Sequence, residues 1–322
     1  MGMKYLITGG AGFIGSFLCK KIVESGGQFI CIDNLFRGRK ENINKYIGVN
    51  ESSFHNLDIL SSASISAICE LILKYKPDYV LHYAAINGTQ YFYDRPFETL
   101  SVNSVGTYNL LCAINEAKQK NNTIKPIIAF SSSSEVYGSA ENIPTNENDL
   151  TYLRISEDRD SYAAGKLISE FYVRNFCNSM GLDWIIFRIF NVYGPRMVGS
   201  KYGQVIPEFI KRLNNGEYPL KIIGDGSHTR SFCYIDDHID LTWRTLNLAK
   251  KNEVYNIGNP FEIKIIDLAS IIMRKMELEI NYEFLPERSG DHKRRVPDIN
   301  KVKKEVGKFD FISLENGIQK LI

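Results

Sequence analysis

The chain has 322 residues, 44% of them apolar and 24% charged, with a formal net charge of +2. That length suits one large domain or two unequal lobes, and the composition excludes a disordered or fibrous chain. So small a net charge gives no broad field to draw the protein to nucleic acid or to a membrane surface.

The first apolar run, Lys4–Thr8, leads into glycines rather than into a signal-peptide core, and no apolar run approaches the roughly 20 residues that span a bilayer. A soluble, cytoplasmic protein is expected. Cys19, Cys31, Cys69, Cys112, Cys177 and Cys233 lack metal-ligand spacing, and the histidines form no paired motif. Free, buried thiols in a reducing compartment and no metal site are therefore expected.

Short apolar runs at Lys4–Thr8, Phe29–Ile32, Tyr79–His82, Ile127–Ser131 and Trp184–Arg188 read as strands. Amphipathic stretches between them, Phe13–Ser25, Ala63–Tyr75 and Val102–Lys118, read as helices. This alternation predicts a parallel sheet with helices on both faces. After Asn191 the segments shorten and Gly and Pro punctuate them, as at Gly194-Pro195, Pro219 and Pro260. The expected division is a sheet domain over 1–190 and a mainly ligand-gripping lobe over 191–322, with some chain crossing between them.

Thr8-Gly9-Gly10-Ala11-Gly12-Phe13-Ile14-Gly15 follows the first strand and opens the first helix. Glycines there allow a tight turn, close approach of backbone to a diphosphate, and free N–H groups at the helix start. Asp33 closes the second strand about 20 residues later, where a carboxylate accepts bonds from ribose hydroxyls and repels a 2′-phosphate. NAD is thus favoured over NADP, although Arg37 and Arg39 follow closely. Asp58 suits either an adenine contact or a helix cap.

Tyr162 and Lys166 stand four residues apart, on one face of a helix. A phenol ordinarily titrates near 10. A cation about 4 Å away is worth roughly 4 kcal/mol at an effective dielectric of 20, on the order of three pK units. Lys166, together with a positive nicotinamide ring, is expected to make Tyr162 a base. The run Ser131-Ser132-Ser133-Ser134-Glu135 ends a strand, where open α/β sheets bind ligands, and a serine there can hydrogen-bond a reacting hydroxyl.

With these motifs in register, the chain resembles the extended short-chain dehydrogenase/reductase family of nucleotide-sugar epimerases, dehydratases and decarboxylases. Further marks are His82-Tyr83-Ala84-Ala85, Val102-Asn103, Arg188–Arg196 and Thr229-Arg230-Ser231-Phe232. The resemblance implies an α/β fold: a Rossmann-type doubly wound parallel sheet with a smaller C-terminal α/β substrate lobe. It implies NAD held by Gly9, Gly12, Phe13, Ile14, Gly15, Asp33, Asn34, Asp58, Ile59, Ala84, Ala85, Asn103, Ser131, Tyr162 and Lys166. Ser133, Tyr162 and Lys166 would form the hydride-transfer triad, with Ser134 and Glu135 beside them. Asn87 would face the sugar, while Asn191, Arg230, Arg288 and Arg295 would grip the diphosphate of a UDP-, GDP-, dTDP- or CDP-sugar.

The implied chemistry is oxidation of sugar C4, followed by reaction of the 4-keto sugar and return of the hydride. Family members that eliminate water carry Asp-Glu after the serine, whereas this chain carries Ser134-Glu135. A 4-epimerase is the leading expectation. A uronate decarboxylase, a 4,6-dehydratase and a net C4 dehydrogenase are the alternatives. A non-catalytic NAD-binding sensor would keep the glycines and lose Ser133, Tyr162 or Lys166, all of which are present. Leu167, Ile168, Phe171, Tyr172, Val173 and Phe176 make the helix after Tyr162 apolar on most sides. With a helix near Val102–Ala117 it could pair with a second subunit, so a homodimer is expected unless the C-terminal lobe covers that face.

Overall fold

The computed structural model describes residues 2–198, 204–287 and 293–322. In chain order the first half comprises β1 (Lys4–Thr8), α1 (Phe13–Glu24), β2 (Gln28–Ile32), β3 (Ser53–His55), α2 (Ser64–Tyr75) and β4 (Tyr79–His82). There follow α3 (Thr89–Asp94), α4 (Pro96–Lys120), β5 (Ile127–Ser133), α5 (Asp160–Met180) and β6 (Trp184–Ile189). The second half holds β7 (Val192–Tyr193), α6 (Val205–Asn214), β8 (Leu220–Ile223), β9 (Thr229–Ser231), β10 (Cys233–Tyr234), α7 (Ile235–Leu248) and β11 (Glu253–Ile257). It ends with β12 (Glu262–Lys264), α8 (Ile265–Lys275), β13 (Tyr282–Leu285), α9 (Asn300–Val306) and α10 (Leu314–Gln319).

Seven strands form one parallel sheet in the order β11-β6-β5-β4-β1-β2-β3. Strand alternation divides the core in two. Tyr5, Ile7, Leu81, Phe187 and Tyr255 face one side, with the buried residues of α1 and α7. Leu6, Val80, Ile128, Phe130 and Ile186 face the other, with α2, α4 and α5. Helices cover both faces, as the near-continuous apolar strands require.

The strand order reverses between β1 and β4, so the loops after these strands diverge and leave a crevice at their C-terminal ends. The sheet draws β11 from beyond residue 191, so the change of sequence character near 190 divides the chain and not the sheet. Val192 and Tyr193 of β7, Lys221 and Ile223 of β8 and Arg230 of β9, one strand from each of the small pairs β7–β10, β8–β13 and β9–β12, line this crevice.

Candidate active site

A cavity of about 760 Å³ occupies the crevice. Its floor is the turn between β1 and α1. Gly9 has φ +72°, and a Cβ there would lie 2.6 Å from the Ala84 nitrogen. At Gly15 a Cβ would lie 2.1 Å from the Gly9 carbonyl oxygen, so neither position admits a side chain. Helix α1 begins at Gly12 with no side-chain cap, and its first N–H groups can serve an anion. Gly12, Phe13, Ile14 and Gly15 all line the cavity.

Asp33 is buried, and its carboxylate accepts from the N–H groups of Ala11 at 3.0 Å and Leu35 at 2.8 Å. Burial pushes its pKa up, and those two N–H groups oppose the rise. Asn34 Nδ2 donates to Asp58 at 3.1 Å, while Asp58 also accepts from the Leu60 N–H at 2.8 Å. Asp58 is thus both a turn-former and part of the cavity lining, beside Ile59. Ala84 and Ala85 complete this end.

Asn103 is placed differently from the expectation. It is buried in α4 beneath the loop after β4, and its Nδ2 donates to the carbonyls of Ile86 at 2.9 Å and Thr99 at 2.8 Å. It is not on the cavity wall and shapes the site through that loop.

The reactive end is built by β5 and α5. Ser131 Oγ donates to the His82 carbonyl at 2.8 Å, and the Ser131 carbonyl accepts from Lys166 Nζ at 2.7 Å. Ser133 Oγ accepts from the Glu135 N–H at 3.2 Å and shares a hydrogen bond with Tyr162. Helical spacing brings Tyr162 and Lys166 to the same wall, both buried. The Tyr162 ring stacks on Phe92 of α3, with centroids 4.7 Å apart.

Burial pushes the Tyr162 phenol up; the Ser133 hydrogen bond and the positive charge of Arg37 pull it down, and Glu135 pushes it up. Burial wins. The Lys166 ammonium donates to the Ser131 carbonyl and lies 4.8 Å from the Phe130 ring centroid. Burial lowers Lys166 to about 7, against the opposing charge of Glu170. A positive charge on a bound group beside the phenol would act in the same direction as that of Arg37.

Ser134 is buried, and Glu135 lines the cavity two residues beyond Ser133. Glu135 is ion-paired with Arg159 at 3.5 Å and, more closely, with Arg295. Arg295 accordingly lies behind Glu135 and not on the cavity wall, which corrects its expected place in a diphosphate grip. Asn191 and Arg230 do line the cavity. Asn191 Nδ2 donates to the Ser231 carbonyl at 3.1 Å, and Arg230 Nη1 to the Thr229 carbonyl at 2.7 Å. Asn87 is an exposed residue of the same lining. Arg288 lies outside the described residues. Among the described residues no group of His, Cys, Asp and Glu could hold a metal.

Sequence reasoning missed four participants. Arg37, from the loop after β2, and Phe92, on α3, reach Tyr162, and nothing local marks that role. Arg159 carries no motif. The fourth is a buried network in which Glu170 accepts from Arg188 Nε at 3.0 Å, from its Nη2 at 2.7 Å and from Ser132 Oγ at 2.5 Å. Its signal was available: Arg188 interrupts the apolar strand β6, and Glu170 follows Lys166 by one helical turn.

Comparisons with known proteins agree with this geometry. Residues 5–258 match the model of the NAD dependent epimerase/dehydratase family. UDP-glucuronic acid decarboxylase 1 of Danio rerio is 32% identical over 319 residues, covering 99% of this chain and 72% of that protein. The UDP-N-acetyl-alpha-D-glucosaminuronate decarboxylase of Bacillus cytotoxicus is 32% identical over 330 residues, covering 100% of this chain and 97% of that protein. Among solved structures, the UDP-N-acetylglucosamine 4-epimerase of Methanobrevibacter ruminantium M1, in complex with UDP-N-acetylmuramic acid, is 31% identical. It superposes with a TM-score of 0.86 over 99% of this chain and 96% of that one.

Proposed function

Given that the chain belongs to the NAD dependent epimerase/dehydratase family, we propose that it decarboxylates a UDP-linked uronic acid. The observation that carries this reading is the wall after Ser133. Position 134 is a buried serine, with no carboxyl group to protonate a departing hydroxyl, and Glu135 beyond it is fixed by Arg159 and Arg295. Loss of carbon dioxide from a 4-keto uronate needs no such acid. The two decarboxylases above support the choice, which replaces the 4-epimerase expected from sequence.

A bound NAD would supply the acceptor for the C4 hydride and the means of its return. Tyr162 takes the proton of the C4 hydroxyl, with Ser133 holding the same oxygen. The C5–C6 bond then breaks, its electron pair passing toward the C4 carbonyl oxygen, which the Tyr162 hydroxyl stabilises by hydrogen bonding. C5 must next gain a proton from water, and Glu135 is the cavity-lining carboxylate closest in sequence to Ser133 to relay it. Lys166 positions the strand end through Ser131. Gly9–Gly15 and Asp33 hold the cofactor; Asn191 and Arg230 hold the substrate's diphosphate.

The test is incubation with UDP-glucuronate, UDP-N-acetylglucosaminuronate, UDP-glucose and dTDP-glucose, with product mass and nicotinamide absorbance followed. Loss of carbon dioxide from a uronate is expected, together with its abolition in Tyr162→Phe while cofactor stays bound. Unchanged mass with inverted C4 would instead identify an epimerase, loss of water a dehydratase, and accumulated NADH a net dehydrogenase.

The same reading includes a homodimer through α4 and α5. Tyr108, Ile168, Phe171 and Tyr172 are exposed there, uncovered by the second lobe. Light scattering at micromolar concentration should report twice the chain mass, and a strict monomer would reject it. No helix among the described residues is long and apolar enough to cross a membrane, and all six cysteines are unbridged, which fits a cytoplasmic enzyme.

A further inference from the structure

Beyond its charge at Tyr162, Arg37 has no role in the glycine turn or the substrate grip. It lies on the loop after β2, four residues beyond Asp33, and lines the cavity. Its Cζ sits 5.5 Å from the Tyr91 ring centroid, and its Nη1 is 3.2 Å from where a Cβ on Gly88 would be. Phe36 also packs against Tyr91, with centroids 5.7 Å apart, and Arg95 lies over Phe36. The loop is therefore propped against α3, and the guanidinium is held on the cavity wall.

Among the described residues Arg37 makes no ion pair and no hydrogen bond. A guanidinium removed in part from water without a carboxylate is costly, and a preorganised one is suited to an anion that arrives later. Its position indicates which anion. The side chain starts beside the carboxylate that faces the ribose, and its charge is felt at Tyr162, where the redox ring must lie. Between those two ends of a dinucleotide is the diphosphate. The substrate's own diphosphate is served from the second lobe.

We propose that Arg37 closes over the diphosphate of the bound dinucleotide, with the Tyr91 ring as its backstop, and so retains the cofactor between turnovers. The glycine turn supplies N–H groups to the same diphosphate, and Arg37 adds the full positive charge that the turn lacks. This role is independent of which reaction follows C4 oxidation.

Titration calorimetry on NAD-free protein tests it with NAD, ADP-ribose, NADP and UDP as probes. Arg37→Gln should weaken NAD and ADP-ribose alike by about ten- to a hundredfold. UDP should stay within about twofold, and the salt dependence of NAD binding should flatten. Arg37→Lys keeps the charge without the fork and should recover part of the loss, which covers the case in which the Gln variant fails to fold. Unchanged NAD and ADP-ribose affinities would overturn the proposal. So would a loss confined to UDP, which would assign the cation to the substrate, or a loss confined to NADP, which would assign it to a ribose phosphate.

Discussion

Replacing Lys166 by Met tests how the buried ammonium is held. The side chain ordinarily titrates at 10.5, and burial brings it to about 7, with Glu170 opposing. Between these values the unfolded chain carries a proton that the folded chain lacks. Stability therefore rises with pH from about 7 and levels off above about 10.5. Below about 7 both states are protonated and the folded protein bears the whole cost. At about 1.36 kcal/mol per unit this is on the order of 5 kcal/mol. The bond from Nζ to the Ser131 carbonyl offsets roughly 1.5–3 kcal/mol of it. Met keeps the apolar stem and removes both terms. Urea unfolding of the NAD-free proteins should find the variant no less stable than wild type near pH 7. By about pH 9.5 the difference should have moved roughly 3 kcal/mol in favour of wild type. A difference that stays flat over that range would refute the buried, partly discharged lysine.

Two more outcomes follow from the packing. Gly15→Ala sets a methyl group 2.1 Å from the Gly9 carbonyl oxygen, so the turn must open; NAD binding by calorimetry should fall at least tenfold. His238 is fully buried with neither ring nitrogen bonded among the described residues, and burial lowers it from 6.5 to about 3. The unfolded state then binds the extra proton below about 6.5, so stability drops as pH falls through that window. His238→Leu should remove roughly 2–3 kcal/mol of the loss between about pH 6 and pH 4, read from urea midpoints, and an unaltered acid slope would contradict this.

The 4-epimerase and decarboxylase readings share every residue up to C4 oxidation. They part only at Glu135 and its neighbours, because the first half of the reaction needs a base and a hydride acceptor alone. That is why the sequence offers Ser133, Tyr162 and Lys166 as candidates for the first half and no comparable set for the second. The expected help from Lys166 to Tyr162 came from spacing; the direction in which Nζ points depends on the Ser131 carbonyl, which spacing does not report.

What the sequence by itself determined is whatever repeats or turns within a few residues. Period-two and period-3.6 patterns foretold the parallel sheet and its helices. The glycines marked the tight turn between β1 and α1, and the Tyr162–Lys166 interval their shared helix face. Tertiary structure alone decided which distant charges meet. It brought Arg159 and Arg295 to Glu135, Arg188 to Glu170, and Arg37 toward Tyr162, and it closed the sheet with β11 from the second half of the chain. The reason is physical. Local geometry follows from backbone sterics and spacing along the chain, whereas the partner of a buried charge is set by which loops the packed strands bring to one crevice.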